Sequence, residues 1–129
     1  MTVRISLASF ISERFEELFE FYSETFDLPE VVELRSDIFR GADASGVTIG
    51  FSAPVVYAML NIEEWQPSSG TTQYLTFECA SDDDVERRTA DAVARGARLL
   101  HEPYETYYGA FQSVLADPHG NVFRINHFR

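Results

Sequence analysis

The sequence predicts an α+β fold of two βαβββ modules, the first over about residues 1–65 and the second over about 66–129, whose curved sheets form a cup. Two observations predict it. Apolar residues spaced by three and four, the mark of a helix with one buried face, occur over about Ser12–Thr25 and again over about Ser81–Arg95. Each stretch comes after one β-type run and precedes three more, so the two halves share an order of elements without obvious sequence identity. With one helix apiece, neither half can cover both faces of its sheet, and a curved face is left for something else.

Val3 to Ile11 is rich in β-branched and apolar residues and reads as a strand that stops at Ser12. In the helix next along the chain, Phe15, Leu18, Phe19, Tyr22 and Phe26 share one face, with Glu13, Glu16, Glu17 and Glu20 elsewhere. Ser12 is the expected N-cap, and the acidic first turn complements the helix dipole. Pro29 cannot continue the helix, and Val31–Leu34, Ile38–Ala42 and Val47–Phe51 read as three strands punctuated by Gly41 and Gly46. Periodicity does not decide Ser52–Gly70, because the apolar Val55 to Leu60 lies between Pro54 and the turn-rich Gln66 to Gly70. An extended crossing segment and a loop are expected there, with Trp65 either filling the core or lining the cup.

In the second half, Tyr74–Cys79 reads as a strand, and Ser81 with Asp84 three residues on as a capping-box-like helix start. Val85, Thr89, Ala92 and Val93 supply the apolar face and Gly96 the stop. Arg98–His101, Phe111–Ala116 and Val122–His127 read as strands. Glu102–Gly109, between the first two, is a loop dense in tyrosines, which suits a binding surface. Between the last two, Asp117-Pro118-His119-Gly120 makes a tight hairpin: Pro118 presets φ, Asp117 accepts bonds from N–H groups just ahead, and Gly120 supplies a left-handed residue. The turn fixes the parity of the final strand, with Arg124, Asn126 and Phe128 on one face and Phe123, Ile125 and His127 on the other.

At 129 residues, 45% hydrophobic and 14% aromatic, the chain is one domain with room for a real core. No apolar run approaches the roughly 18–20 residues of a membrane span, and no basic-then-apolar leader opens the sequence. A cytoplasmic protein with no membrane partner is expected. The acidic balance, a net charge of −11, repels phosphate backbones and argues against nucleic acid; it suits either solubility or the attraction of cationic ligands. Cys79 is the only cysteine, so no disulfide forms within the chain, and a small buried apolar role is expected of it.

Ile5-Ser6-Leu7 leading through Phe21-Tyr22 to Phe26, Gly96-Ala97-Arg98-Leu99-Leu100 after the second helix, and above all Ala116-Asp117-Pro118-His119-Gly120-Asn121-Val122-Phe123 carry a resemblance. Almost end to end, the chain resembles the vicinal oxygen chelate superfamily, also called the glyoxalase, bleomycin-resistance and extradiol dioxygenase superfamily. The resemblance implies paired βαβββ modules, a ligand cup between them and commonly a homodimer. It also implies a divalent metal held by His or Glu side chains from the first and last strands of each module. Carried onto this sequence, those positions fall on Leu7, on Tyr74, on Arg124 seven residues after the turn aspartate, and within Val47–Phe51, which holds no His, Asp, Glu or Cys. A guanidinium among them adds repulsion rather than a bond, so no metal and no cofactor are expected. The histidines do not replace them: His119 is in the turn, His101 on another strand, and His127 faces away from Arg124.

By strand alternation Tyr74, Thr76 and Glu78 share the cup, with Leu7 and Ser9 opposite and Arg124 and Asn126 beside them, and the aromatics Tyr107 and Tyr108 of the tyrosine-rich loop and Phe111 just after it are added. Glu78 and Arg124 either pair to satisfy each other or orient a small polar or charged ligand. The expected function is that of a metal-independent small-molecule binding protein similar to the bleomycin-resistance type, whose dimer sequesters a small organic or cationic compound. One alternative is an enzyme using the same cup: a glyoxalase-like isomerase or epimerase whose metal site falls in another register, a dioxygenase-related enzyme, or a metal-free lyase with Glu78 or a tyrosine as base. Another is a purely structural or regulatory module.

Overall fold

An aromatic stack organises the first of the two units into which the chain divides, Met1–Ser68 and Ser69–Arg129. The computed structural model describes residues 4–67, 70–71 and 73–129, so Val3 of the expected first strand and Ser68–Ser69 of the expected loop lie outside the described residues. Phe10 on β1 (Leu7–Ile11) stacks 5.4 Å from Tyr22 on α1 (Phe15–Phe26) and 5.7 Å from Phe51 on β3 (Val47–Ser52). Phe15, Leu18, Phe19, Tyr22 and Phe26 are all buried, as their spacing predicts. The sheet order is β1-β3-β2, with β1 parallel to β3 and β2 (Phe39–Ala44) antiparallel to it. Ser45 and Gly46, both at positive φ (58° and 99°), turn β2 into β3, the backbone pairing that a two-residue hairpin favours.

Four expectations for this half are corrected. The helix begins at Phe15, not Ser12, because the Ser12 hydroxyl accepts the Arg14 N–H at 3.3 Å and closes the turn ahead of it. Val31–Leu34 is not a strand. Pairing there is a single bridge, Glu30 to Ala42, after which Leu34 N–H bonds Val31 O and a 3₁₀ turn forms over Val32–Leu34; Arg35 grips Glu30 through two bonds of 2.8 and 2.7 Å across it. Val56–Met59 is a short helix, α2, rather than an extended segment, since Pro54 and Val55 carbonyls accept the N–H groups of Tyr57 and Met59. Trp65 fills no core: it is 80% exposed.

The second unit has the sheet order β4-β7-β6-β5, built from β4 (Leu75–Glu78), β5 (Arg98–Glu105), β6 (Ala110–Ala116) and β7 (Val122–Phe128). The first pairs with β7 in parallel; the other pairs are antiparallel. Helix α3 (Asp82–Ala94) lies against β5, β6 and β7 and is capped as predicted, Ser81 Oγ accepting the Asp84 N–H at 3.1 Å. Its buried Val85, Thr89 and Ala92 face a sheet surface of buried Ser113, Leu115, Phe123 and Ile125, where the Thr89 and Ser113 hydroxyls bond at 2.7 Å. Val93, expected on that face, is exposed.

The Asp117 turn closes as its residues dictate. The Asp117 carbonyl accepts the Gly120 N–H at 2.9 Å, the carboxylate accepts the His119 and Asn121 N–H groups at 2.8 and 3.0 Å, and Gly120 has φ 90°. Glu102–Glu105 is strand rather than loop: β5 runs on through Pro103, with register shifts against β6 between Leu99 and His101 and between His101 and Tyr104. Proline is tolerated there because β5 is an edge strand and its missing N–H breaks no ladder. The tyrosine-bearing turn therefore shrinks to Thr106–Gly109, pinned by Thr106 Oγ1 against the Ala110 N–H at 2.9 Å. Cys79 is half-buried, and desolvation pushes its thiol pKa up, so it is held as the unreactive thiol. Among the described residues no helix is long and apolar enough to cross a membrane.

Candidate functional site

Alternation along the second sheet puts a row of polar side chains on the face turned away from α3. Register sets Thr76 of β4 beside Arg124 of β7, Glu78 beside Asn126, Gln112 of β6 beside Asn126, and Tyr104 of β5 beside Gln112. Arg124 is the centre of the row. Its Nε donates to Thr76 Oγ1 at 3.0 Å, and its Nη1 to the Tyr108 hydroxyl at 3.2 Å and to Gln112 Oε1 at 3.3 Å. Its guanidinium carbon lies 4.9 Å from the centroid of the Tyr74 ring, within cation–π range.

Gln112 is the hub of the network. Buried to 4% exposure, it accepts from the Tyr108 hydroxyl at 2.8 Å as well as from Arg124, and its Nε2 donates to the Tyr104 hydroxyl at 2.8 Å. The next pair along the sheet is separate: Asn126 Nδ2 donates to Glu78 Oε1 at 2.8 Å, and the Phe128 N–H to Glu78 Oε2 at 2.7 Å. Asn126 is 2% exposed, and its Oδ1 accepts no bond among the described residues. The expected pairing of Glu78 with Arg124 does not occur. Among the described residues no carboxylate forms an ion pair with Arg124, whereas Arg14, Arg35, Arg40, Arg87, Arg88, Arg95 and Arg129 each have at least one.

Of the residues expected to line a cup, the structure thus brings together Tyr74, Thr76, Tyr108 and Arg124, with Glu78 and Asn126 as an adjoining pair. Tyr107 is fully exposed, its ring edge-on to Tyr108 at 5.1 Å. Phe111 is a correction: one residue before Gln112, it projects from the opposite, helix-covered face, where the Arg129 guanidinium lies 5.4 Å from its ring centroid. Leu7 and Ser9 belong to the first unit, on the face of its sheet away from α1; Ser9 Oγ bonds Ser52 Oγ at 3.1 Å. Across from Ser9 on β3, Gly50 leaves space for the Phe39 ring, whose atoms an added Cβ would meet at 2.8 Å. Gln112 is the functional candidate that reading the sequence misses; its signal is an amide in the middle of an apolar strand.

The residues at the positions implied for a divalent metal do not fit one. Leu7 has no donor atom, Arg124 carries a positive charge already engaged with oxygen acceptors, and β3 offers no imidazole, carboxylate or thiolate. Among the described residues no three His, Cys, Asp or Glu side chains group so as to hold a metal ion. The histidines are engaged singly: His101 Nδ1 with Glu102 O at 2.7 Å and His127 Nδ1 with Cys79 O at 3.0 Å, while His119 sits in the Asp117 turn.

Two sheets, each carrying one long helix and each pairing its first strand in parallel with its last, define an α+β protein of repeated modules. The chain belongs to the Glyoxalase/Bleomycin resistance protein/Dioxygenase superfamily, whose family model matches residues 4–125. It is similar to the crystal structure of a glyoxalase/bleomycin resistance protein/dioxygenase family enzyme from Burkholderia phytofirmans PsJN, at 35% identity and a TM-score of 0.94 over 96% of this chain and 98% of that one. A glyoxalase-related enzyme from Fulvimarina pelagi (19% identity, TM-score 0.75, 96% and 87% covered) and a lactoylglutathione lyase from Agrobacterium tumefaciens (15%, 0.73, 98% and 95%) share the fold. No curated protein sequence matches the chain.

Proposed function

We propose that this superfamily member binds a small organic molecule on the face of the second sheet turned away from α3, without a divalent metal. The supporting observation is Arg124. At the last-strand position where the family resemblance implies a metal-ligating carboxylate, a guanidinium is held in place by Thr76, Tyr108, Gln112 and the Tyr74 ring. Fixed polar groups ringed by tyrosines suit organic ligands, the aromatics supplying contact area and the polar atoms orientation. The reading is closest to that of a sequestering protein of the bleomycin-resistance type, and a homodimer belongs to it, since a small chain with few helices leaves sheet faces to be covered.

A small-molecule library screened by ligand-observed NMR against chelator-treated protein tests it. Binders are expected to perturb backbone signals of β4, β6, β7 and the Thr106–Gly109 turn. Ligand binding that appears only after loading with zinc, nickel, manganese or iron, with one equivalent retained, overturns it.

A further inference from the structure

We infer that the ligand of this face is a small organic acid whose carboxylate is received by Arg124, an inference that rests on the binding role proposed above. The hydrogen-bond inventory carries it. Arg124 commits Nε to Thr76 and Nη1 to Tyr108 and Gln112, which leaves both N–H bonds of Nη2 without an acceptor among the described residues. Thr76 Oγ1 and the Tyr104 hydroxyl each receive a bond, from Arg124 and from Gln112 Nε2, and neither hydroxyl proton is spent among the described residues. Around Arg124, what the face has to give is therefore donors, two of them on a full positive charge; the acceptor left over on this face among the described residues, Asn126 Oδ1, belongs to the neighbouring Glu78 pair. An oxygen-rich anion uses them; a cation uses none.

Local charge at Arg124, unlike the overall −11, points the same way. The chain carries 21 acidic side chains against 10 basic ones, all of the latter arginine. Against that excess, Arg124 is held by neutral acceptors and an aromatic ring rather than by a carboxylate, so its charge is not neutralised in advance. The Tyr74 ring lies 4.9 Å from the guanidinium carbon, and each two-nitrogen fork of the group already has one member bonded, so a carboxylate is received by the Nη2 N–H bonds singly rather than as a bidentate pair. The tyrosines around it suit an acid with an aromatic body.

Benzoate, benzamide and benzylammonium share a ring and differ in charge. Each is titrated into chelator-treated, isotope-labelled protein, and affinity is read from backbone shifts in β4, β6 and β7. Benzoate is expected to bind about tenfold or more tighter than benzamide, with benzylammonium weaker still. Arg124→Gln should erase that preference and Arg124→Lys keep part of it, with far-UV spectra matching the parent. Equal affinity for acid and amide, or a preference for benzylammonium, overturns the inference and leaves the binding face standing. A benzoate preference that survives Arg124→Gln overturns it as well, because the charge that selects the acid then lies elsewhere. If Arg124→Gln does not fold, the comparison of acid with amide in the parent protein still decides. If none of these probes binds at millimolar concentration the inference fails, while the binding role stands or falls by the library screen.

Discussion

Glu78 is bound to Asn126 across the parallel β4–β7 pair, its Oε1 accepting the amide Nδ2 at 2.8 Å while its Oε2 takes the Phe128 N–H at 2.7 Å. Both oxygens are thereby occupied, and the carboxylate anchors the end of β7 rather than neutralising Arg124. A double-mutant cycle with Glu78→Ala and Asn126→Ala should show a coupling on the order of 1 kcal/mol in urea denaturation. The cycle pairing Glu78→Ala with Arg124→Ala should show less; an equal or larger coupling there would mean that the charges interact after all.

Beneath α3, Thr89 Oγ1 donates to Val85 O at 2.6 Å and shares a 2.7 Å bond with the buried Ser113 hydroxyl. Replacing Thr89 by Val keeps the shape and strands Ser113 Oγ in an apolar setting, so stability should fall by about 1–3 kcal/mol. Adding Ser113→Ala should recover part of that loss, because both polar groups are then gone. Strictly additive losses in chemical denaturation would contradict the pairing.

Asp117 is 3% exposed and its carboxylate accepts two backbone N–H groups and the Asn121 amide. Asp117→Ala should cost about 2–3 kcal/mol, and Asp117→Asn, which keeps one acceptor oxygen, about 1 kcal/mol or less. Thermal or urea unfolding of the two variants measures the difference. Equal losses would assign the stabilisation to charge rather than to the turn.

The C-terminal Arg129 donates to Asp82 at the start of α3, Nη2 to Oδ2 at 2.6 Å, and holds that carboxyl below the usual carboxylate range. A folded-state pKa below the unfolded one means stabilisation that is present above the unfolded value and lost as pH falls through the folded value. In an NMR titration, Arg129→Gln should raise the Asp82 midpoint toward its ordinary value. An unmoved midpoint would show that the ion pair is not what lowers it.

Local chemistry is legible in the sequence. The Asp117 turn is specified by contiguous residues, and once it is placed, alternation sends Phe123 and Ile125 into the core and Arg124 and Asn126 to the other face. Where the outcome depends on partners distant in sequence, such reading fails. Val31–Leu34 has strand-forming residues but finds only one bridge to Ala42, and the Glu30–Arg35 pair closes a turn instead. Nearness to the tyrosines suggests Phe111 as a lining residue, whereas the length of the Thr106–Gly109 turn decides its parity and turns Gln112 inward to the network. The partners of Glu78 and Arg124 are invisible for the same reason: composition shows two opposite charges, and only the β4–β7 register shows that each sits beside a neutral neighbour.

Pro103 and the two register shifts in β5 also determine what the second sheet can do in company. An outer strand that lacks an N–H and changes phase twice offers no continuous row of donors and acceptors for an extended peptide or the strand of another copy to zip onto. At the opposite margin β4 is only four residues long, Leu75–Glu78. Strand-by-strand growth of this sheet, whether toward a fibril or toward a dimer with one sheet running through both copies, is thus blocked on the β5 side.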